Sequence, residues 1–228
     1  MTRRSGHDAV LRSLDAALHS PLRSVKLNVV VVKGLNDSEA LDFVKLTADR
    51  DISVRFIEFM PFTGTFHFRE SFNFPYAATG NKWDKAKMVP SSQLLDQISR
   101  KYPDITRAPD ELNDTARSWK IPGHVGSIGF ISSMSDHFCS SCNRLRLTAD
   151  GQIKVCLLSP ERLAYSPSMQ VCLFDAKEVS LRDEMRRGAS DADLRDIIGL
   201  AVQGKQEKHA GMEDIDVTTN RPMILIGG

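Results

Sequence analysis

Two apolar segments with a helical pattern between them constrain the fold of this chain more than any other feature. Residues 24–32 read Ser-Val-Lys-Leu-Asn-Val-Val-Val-Val, a nearly continuous apolar run that predicts a strand buried on both faces. Residues 52–60 predict a second strand, and the apolar positions 40, 41, 44 and 46 predict a helix between the two. A strand, a helix and a strand in this order predict a β-α-β unit with a parallel sheet. Ligands of such sheets bind at the carboxyl ends of the strands, where Met60 lies.

The segment 137–156 predicts a β-hairpin, because polar and apolar residues alternate on both sides of a turn that ends at Gly151. A two-residue turn would mix polar and apolar side chains on each face. A three-residue loop with Gly151 in the left-handed conformation separates them instead, and this register is expected. It places Arg144 and Arg146 on one face with Cys156, and sets Cys156 opposite Arg144.

Three of the four cysteines lie in this hairpin segment, which favours a metal site over a disulfide framework. Cys139, Cys142 and Cys156 are the expected ligands. Cys172 is a further candidate, since the words Val-Cys-Leu at 155–157 recur at 171–173. Structural zinc and an iron–sulfur cluster both suit these thiolates, and the residues alone leave both readings open.

Composition describes an ordinary soluble globular protein, with 41% hydrophobic and 26% charged residues in 228. The net charge of +1 gives no argument for nucleic acid or for a membrane surface. No apolar run approaches the roughly 20 residues that span a bilayer. The opening residues contain acidic side chains and predict a domain helix, so no targeting segment is expected.

The pattern changes near residue 62, which predicts an α/β region at 1–62 and a mixed, β-richer region at 63–228. Short repeats bound two insert-like stretches, 63–80 and 155–173. Further elements are also expected: helices at 6–19, at about 91–102 behind a Ser91 or Ser92 cap, and at about 191–202 behind a Ser190 capping box, and strands at 116–121 and 126–132.

One motif carries a resemblance to a known family. Phe138-Cys-Ser-Ser-Cys-Asn-Arg-Leu-Arg-Leu-Thr-Ala-Asp-Gly, followed by Cys156, resembles the C-terminal iron–sulfur motif of the GTP 3′,8-cyclases, radical S-adenosylmethionine (SAM) enzymes of molybdenum cofactor (molybdopterin) biosynthesis. The likeness, of the eukaryotic type, continues in Thr2-Arg-Arg, Val25-Lys-Leu-Asn, Val54-Arg-Phe-Ile-Glu-Phe-Met-Pro, Asn81-Lys-Trp and Arg221-Pro-Met-Ile-Leu-Ile-Gly-Gly. It implies an α/β fold: the C-terminal half of an incomplete (β/α) TIM-like radical-SAM barrel (1–62), followed by a mixed α+β cluster- and GTP-binding region (63–228).

The resemblance also implies roles for individual residues. Cys139, Cys142 and Cys156 would hold a [4Fe–4S] cluster whose open iron takes the guanine of GTP. GTP-binding positions would be Lys26, Arg144, Leu145 and Arg146, and Met60 would contact SAM. Arg55 would line the active-site cavity, and the tail Gly227-Gly228 would reach into it, which makes these three the implied catalytic positions.

By resemblance, the activity is a lyase reaction that converts GTP to (8S)-3′,8-cyclo-7,8-dihydroguanosine 5′-triphosphate. The second [4Fe–4S] cluster, which cleaves SAM, needs a Cys-x-x-x-Cys-x-x-Cys motif that this sequence lacks, so the chain is expected to be inactive alone. The alternatives are a non-catalytic truncated isoform that binds GTP or a cluster, or a structural zinc protein. Implied partners are GTP, SAM, a second copy in a homodimer and the downstream cyclic pyranopterin monophosphate synthase, in the mitochondrial matrix.

Each implied site residue also has an ordinary structural explanation. Arg144 and Arg146 fit solvated strand charges. Lys26 and Arg55 fit structural ion pairs, because a buried charge needs a partner. Met60 fits core packing, and terminal glycines such as Gly227 and Gly228 are often unordered.

Overall fold

The computed structural model describes residues 6–60, 84–110, 114–136, 145–148, 150–154 and 179–203. The chain divides into two compact units. The first comprises Met1–Met60 and Lys85–Asp136, and the second comprises Pro61–Asp84 and His137–Gly228.

The described residues form helices and strands in an order that follows the predicted pattern. The helices are α1 (His7–Leu18), α2 (Ala40–Lys45), α3 (Ser91–Lys101), α4 (Leu181–Arg186) and α5 (Asp191–Gln203). The strands are β1 (Val25–Val31), β2 (Ile52–Glu58), β3 (Thr106–Arg107), β4 (Arg117–Lys120), β5 (Ser127–Ile131), β6 (Arg146–Leu147), β7 (Gln152–Lys154) and β8 (Val179–Ser180).

The described residues of the first unit build one mixed sheet with the strand order β1-β2-β5-β4-β3. β1 pairs with β2 in parallel from Val25↔Ile52 to Val31↔Glu58, and β5 extends the parallel part on the other side of β2. β4 and β3 continue it as antiparallel strands. The predicted β-α-β unit is therefore confirmed, and the mixed α/β class with it. The assignment to the C-terminal half of an incomplete (β/α) TIM-like radical-SAM barrel stays a prediction.

One face of this sheet carries the hydrophobic core. Val29 and Val31 of β1, Val54 and Phe56 of β2 and Phe130 of β5 are all buried on it, and the Phe56 and Phe130 rings lie 5.8 Å apart between centroids.

Helix residues cover this face, because Val44, Leu94 and Ile98 are buried in the same cluster and Leu14 and Leu18 pack against it. Branched side chains on alternate strand positions suit this arrangement, since they fill a pleated surface without gaps.

The opposite face of the sheet is polar and partly open. β1 exposes Lys26, Asn28 and Val30, in contrast to the expected burial on both faces, and that prediction is wrong. The helices described above pack on one side of the sheet, and β1 is the edge strand of the described sheet, so alternate β1 residues face away from the core. Burial of this face increases from β1 to β5, where Gly129 and Ile131 are buried.

The second unit contains the predicted hairpin. β6 and β7 pair antiparallel with Arg146 opposite Lys154 and Leu147 opposite Ile153, and β8 adds a strand at Ile153↔Val179. Gly151 has φ 79°, and its N–H donates to the Thr148 carbonyl at 3.0 Å. The three-residue loop and its register are thus as predicted. Ile153 is buried against Ala201, whereas Leu145 and Leu147 are exposed.

The capping predictions had mixed outcomes. At the start of α5, Ser190 Oγ accepts from the N–H of Asp193 at 3.2 Å, and Asp193 Oδ2 accepts from the Ser190 N–H and Oγ–H at 2.8 and 2.7 Å. The predicted box is confirmed. Neither Ser91 nor Ser92 is the N-cap of α3; Pro90 is, without a side-chain cap of its own.

The domain boundary near residue 62 stays a prediction, although strands from both sides of it, β2 and β5, are neighbours in one sheet. Across the described segments, no helix combines the length and apolarity needed for a membrane crossing.

Candidate functional site

The open face of the first sheet brings together two of the cations that the sequence singled out. Lys26 pairs in register with Ser53, and Arg55 lies two residues further along β2 on the same face. With a strand spacing of ~4.8 Å and a rise of ~3.3 Å per residue, the Cα atoms of Lys26 and Arg55 are about 8 Å apart. Two cations at this spacing can contact one anionic ligand.

Lys26 is exposed, which removes the requirement that it be neutralised by a buried partner. Serines occupy the positions in register with Lys26 on the next two strands. Ser53 of β2 lies beside Lys26, and Ser127 of β5 lies beside Ser53. Short side chains leave space above the sheet for a ligand, whereas the apolar opposite face is filled by helices.

Arg55 forms an ion pair that the sequence did not identify. Its Nη2 donates to Asp114 Oδ2 at 2.9 Å, and the two side chains are only 11% and 8% exposed. The other oxygen of Asp114 accepts from the N–H of Ala116 at 3.4 Å, which holds the carboxylate in the segment that leads into β4. The structural alternative for Arg55, an ion pair, is therefore present.

The ion pair with Asp114 does not involve the Nε–H group of Arg55. Arg55 Nε is buried and has no hydrogen-bond partner within the described part of the chain. A buried donor without an acceptor costs about 1–3 kcal/mol, so a protein rarely keeps one without a reason. An oxygen of a bound anion is the type of acceptor that a guanidinium N–H prefers. Within the described residues, Nε–H is thus a donor that an oxygen of a ligand could accept from, in addition to the ion pair with Asp114.

Glu58, at the carboxyl end of β2, is a second buried charge that the sequence analysis missed. Its Oε1 accepts from the Ser91 N–H at 2.8 Å and from the Ser91 hydroxyl at 3.0 Å, and its Oε2 accepts from the N–H groups of Met134 and Ser135, both at 2.8 Å. The Ser135 hydroxyl also donates to Oε1. This group, the Glu58 cluster, places a carboxylate at the N-terminus of α3 and joins β2 to the turn after β5.

Met60 lies two residues beyond the end of β2 and is 7% exposed. Its position at the carboxyl end of a parallel strand agrees with the predicted location of a ligand. Its burial agrees equally with core packing, so its contact with SAM stays a prediction.

The hairpin residues are only partly described. Leu145 is exposed, and Arg146 is half-buried on β6 opposite Lys154. Cys139, Cys142, Arg144, Cys156, Cys172, Gly227 and Gly228 lie outside the described residues, so their roles stay predictions. Among the residues that the structure does describe, no group of three or more His, Cys, Asp or Glu side chains is arranged to hold a metal ion.

The sequence therefore identified Lys26 and Arg55, which the fold places on one face, and missed Asp114 and Glu58. A glutamate between apolar residues in 52–60 was a usable signal for Glu58, because a charge on the core face of a strand needs partners. Asp114 carries no comparable signal, because it lies in a polar segment.

Fold and site together define an α/β protein with a cationic, partly open sheet face. The sequence matches the family model described as Molybdenum Cofactor Synthesis C over residues 52–169, about half of the chain. The chain belongs to this family.

Curated relatives extend the match along the whole chain. It is 47% identical over 228 residues to the mitochondrial GTP 3′,8-cyclase of Arabidopsis thaliana, covering 100% of this chain and 50% of the relative. It is 44% identical over 227 residues to Molybdenum cofactor biosynthesis protein 1 of Mus musculus, covering 31% of that protein, and 34% identical to the GTP 3′,8-cyclase of Syntrophomonas wolfei, covering 60%. The predicted resemblance is thus confirmed, and the chain spans about half the length of its Arabidopsis relative.

Proposed function

We propose that this chain forms the GTP-binding part of a GTP 3′,8-cyclase in molybdenum cofactor biosynthesis. The observation that carries the proposal is the placement of Lys26 and Arg55 on the same face of two parallel neighbouring strands, in a chain that is similar to named GTP 3′,8-cyclases. Phosphate groups select such a pair, since lysine provides a point charge and arginine a directional donor.

We assign contacts with GTP to Lys26, Arg144, Leu145 and Arg146, and the proposed catalytic positions are Arg55, Gly227 and Gly228. Met60 would contact SAM in the assembled enzyme.

A [4Fe–4S] cluster fits the donor set Cys139, Cys142 and Cys156, because thiolates are its usual ligands and three of them leave one iron open. Bound there, such a cluster would supply a coordination position for the guanine base. SAM and the second [4Fe–4S] cluster would supply the radical in the complete enzyme. Homodimer formation, delivery to a cyclic pyranopterin monophosphate synthase and a mitochondrial matrix location are further parts of the proposal.

The test is anaerobic purification of the 228-residue chain, with iron, sulfide and zinc analysis, followed by calorimetric titration with GTP. We expect iron and sulfide, loss of both in Cys139→Ser and Cys156→Ser, and retention in Cys172→Ser. We expect GTP to bind more tightly than ATP. Zinc without sulfide would replace the cluster by a structural zinc site, and absence of GTP binding would overturn the function.

Two further outcomes bear on the activity of the isolated chain. No cleavage of SAM is expected from the purified chain alone. Reductive cleavage of SAM by it would contradict the expectation that the chain is inactive alone.

A further inference from the structure

The Arg55–Asp114 pair raises the question of what fixes the direction of the Arg55 guanidinium. An arginine side chain has several rotamers, and only some of them direct Nε–H at a given ligand atom. Ordering such a long side chain costs conformational entropy, so an arginine that is already held in the free protein binds an anion more tightly.

The ion pair with Asp114 sets the direction of the Arg55 side chain. The side chain leans across the sheet toward β5, where its in-register neighbour is a glycine: a methyl group on Gly129 would lie 3.5 Å from Arg55 Cγ and 3.1 Å from Ala116 Cβ. Beyond Gly129, the Asp114 carboxylate accepts from Nη2 at 2.9 Å. The aliphatic part of Arg55 thus lies alongside Gly129, and its guanidinium continues to Asp114.

Asp114 also contacts the backbone. Its Oδ1 accepts from the Ala116 N–H at 3.4 Å, and Ala116, 2% exposed, directly precedes β4. One carboxylate oxygen thus meets the backbone and the other meets Nη2 of Arg55. Nε stays buried and unpaired within the described residues.

We propose that Asp114 is a positioning residue, which holds the Arg55 guanidinium so that its Nε–H donates to an oxygen of the bound nucleotide. This inference rests on the proposed function for the identity of the ligand. It does not rest on that function for the positioning itself, which is a property of the free protein. No metal or cofactor takes part in it.

The positioning is measured by the arginine side-chain ¹H–¹⁵N NMR spectrum of the full chain. Arg55→Lys identifies the Arg55 Nε–H resonance, because that variant lacks the atom. We expect Asp114→Asn to shift or broaden this resonance, while Asp110→Asn, the same change four residues earlier in an aspartate that pairs with Arg107, leaves it in place. If Asp114→Asn left the Arg55 resonance unchanged, Asp114 would not hold Arg55.

GTP titration of the same variants then tests the consequence for binding. Asp114→Asn is expected to raise the Kd for GTP about tenfold, the loss of roughly one oriented charge-assisted hydrogen bond. In the Arg55→Lys background the same change is expected to add nothing further, since it acts only through Nε. Additive effects of the two substitutions would assign Asp114 a separate structural role and overturn the inference.

The two readouts separate the possible failures. If the unmodified chain binds no GTP, the proposed function falls, and the NMR comparison still decides whether Asp114 holds Arg55. If Asp114→Asn does not fold, Asp114→Glu keeps the charge on a side chain one methylene longer. Asp114→Glu is expected to shift the Arg55 Nε–H resonance. It is also expected to weaken GTP binding less than Arg55→Lys, the variant that lacks Nε.

Discussion

Arg55 and Glu58 lie three residues apart on one strand, and their buried charges are satisfied to different degrees. Glu58 faces the helices and accepts hydrogen bonds from Ser91, Met134 and Ser135 on both of its oxygens. Arg55 faces the open side, pairs once with Asp114, and keeps Nε unpaired within the described residues. A buried charge whose atoms all have hydrogen-bond partners stabilises the fold. A buried charge with an unpaired donor can still form a hydrogen bond with a ligand.

The alternation of β2 produces this contrast. Residues 55 and 58 differ by an odd number of positions and therefore point to opposite faces of the sheet. Glu58 thereby reaches the N-terminus of α3, where its negative charge is favourable. Arg55 reaches the polar face with Lys26. One strand thus serves both the core and the candidate site.

The largest expected effect is on stability, from Glu58→Gln. The substitution keeps the shape of the side chain but removes the charge and one acceptor. Either the N–H groups of Met134 and Ser135 or the N–H and hydroxyl of Ser91 then lose their acceptor. We expect the free energy of unfolding in urea to fall by about 2–4 kcal/mol. GTP affinity of the folded protein is expected to be unchanged, because Glu58 faces the core.

Glu39→Gln is the matched control for this experiment, since Glu39 is exposed, and its effect is expected to stay within about 0.5 kcal/mol. If Glu58→Gln lowered the free energy of unfolding by less than about 1 kcal/mol, the groups that donate to Glu58 would have found other acceptors. The difference in hydrogen-bond satisfaction between Glu58 and Arg55 would then carry no energetic consequence.

Arg55→Lys is expected to show the opposite behaviour. Lysine retains the positive charge opposite Asp114, so the free energy of unfolding is expected to change by less than about 1 kcal/mol. The Nε donor is lost, and the Kd for GTP is expected to rise about 10- to 100-fold. Titration calorimetry measures the change, and Arg100→Lys on the exposed side of α3 is the control. An unchanged Kd would place Arg55 with the structural charges.

Lys26→Gln sharpens the comparison at the edge of the same face. Because Lys26 is exposed, its charge is screened, and the Kd for GTP is expected to rise only about 3- to 10-fold. The effect is expected to shrink as salt is added, unlike that of Arg55→Lys. Lys101→Gln, at the end of α3, is expected to bind GTP like the unmodified chain. Equal salt dependence of the Lys26 and Arg55 variants would contradict the difference in burial.

The smallest effect is expected at the start of α5, where a carboxylate caps a helix in solvent. Hydrogen bonds from the Ser190 hydroxyl and N–H hold the pKa of Asp193 below its ordinary value near 3.8. Its contribution to stability is therefore fully present above that value and is lost as the pH falls through the lowered pKa.

Circular dichroism from about pH 5 to about pH 2 tests this expectation. The unmodified chain is expected to be slightly more stable than Asp193→Asn at the upper end, and the difference is expected to vanish at the lower end. Asp196→Asn, outside the cap on the same helix, is the control. A difference as large as that of Glu58→Gln would show that burial does not decide the strength of these caps.

Much of the local structure could be predicted from the sequence. The hairpin register around Gly151, the box formed by Ser190 and Asp193, and the parallel β1–β2 pair each follow from residues close together in the chain, where period, turn chemistry and capping act. The candidates Lys26 and Arg55 were also named at this stage, because the resemblance to the GTP 3′,8-cyclases implies them.

The partners of the buried charges could not be predicted in the same way. Asp114 meets Arg55 across 59 residues, and Ser135 meets Glu58 across 77. The predicted burial of β1 on both faces was wrong for a related reason. A run of valines predicts a strand, but it does not show whether helices pack on one face of that strand or on both.

The sequence by itself determined most of the helices and strands, the register of the hairpin, the family and the candidate cations Lys26 and Arg55. Only the tertiary structure showed which face of the sheet is partly open and that Arg55 pairs with Asp114. It also showed that both Glu58 oxygens accept hydrogen bonds, whereas Arg55 Nε has no partner within the described residues. Alternation and capping act over a few residues and are written in the chain, whereas hydrogen-bond satisfaction of a buried charge depends on segments that meet only when the sheet has formed.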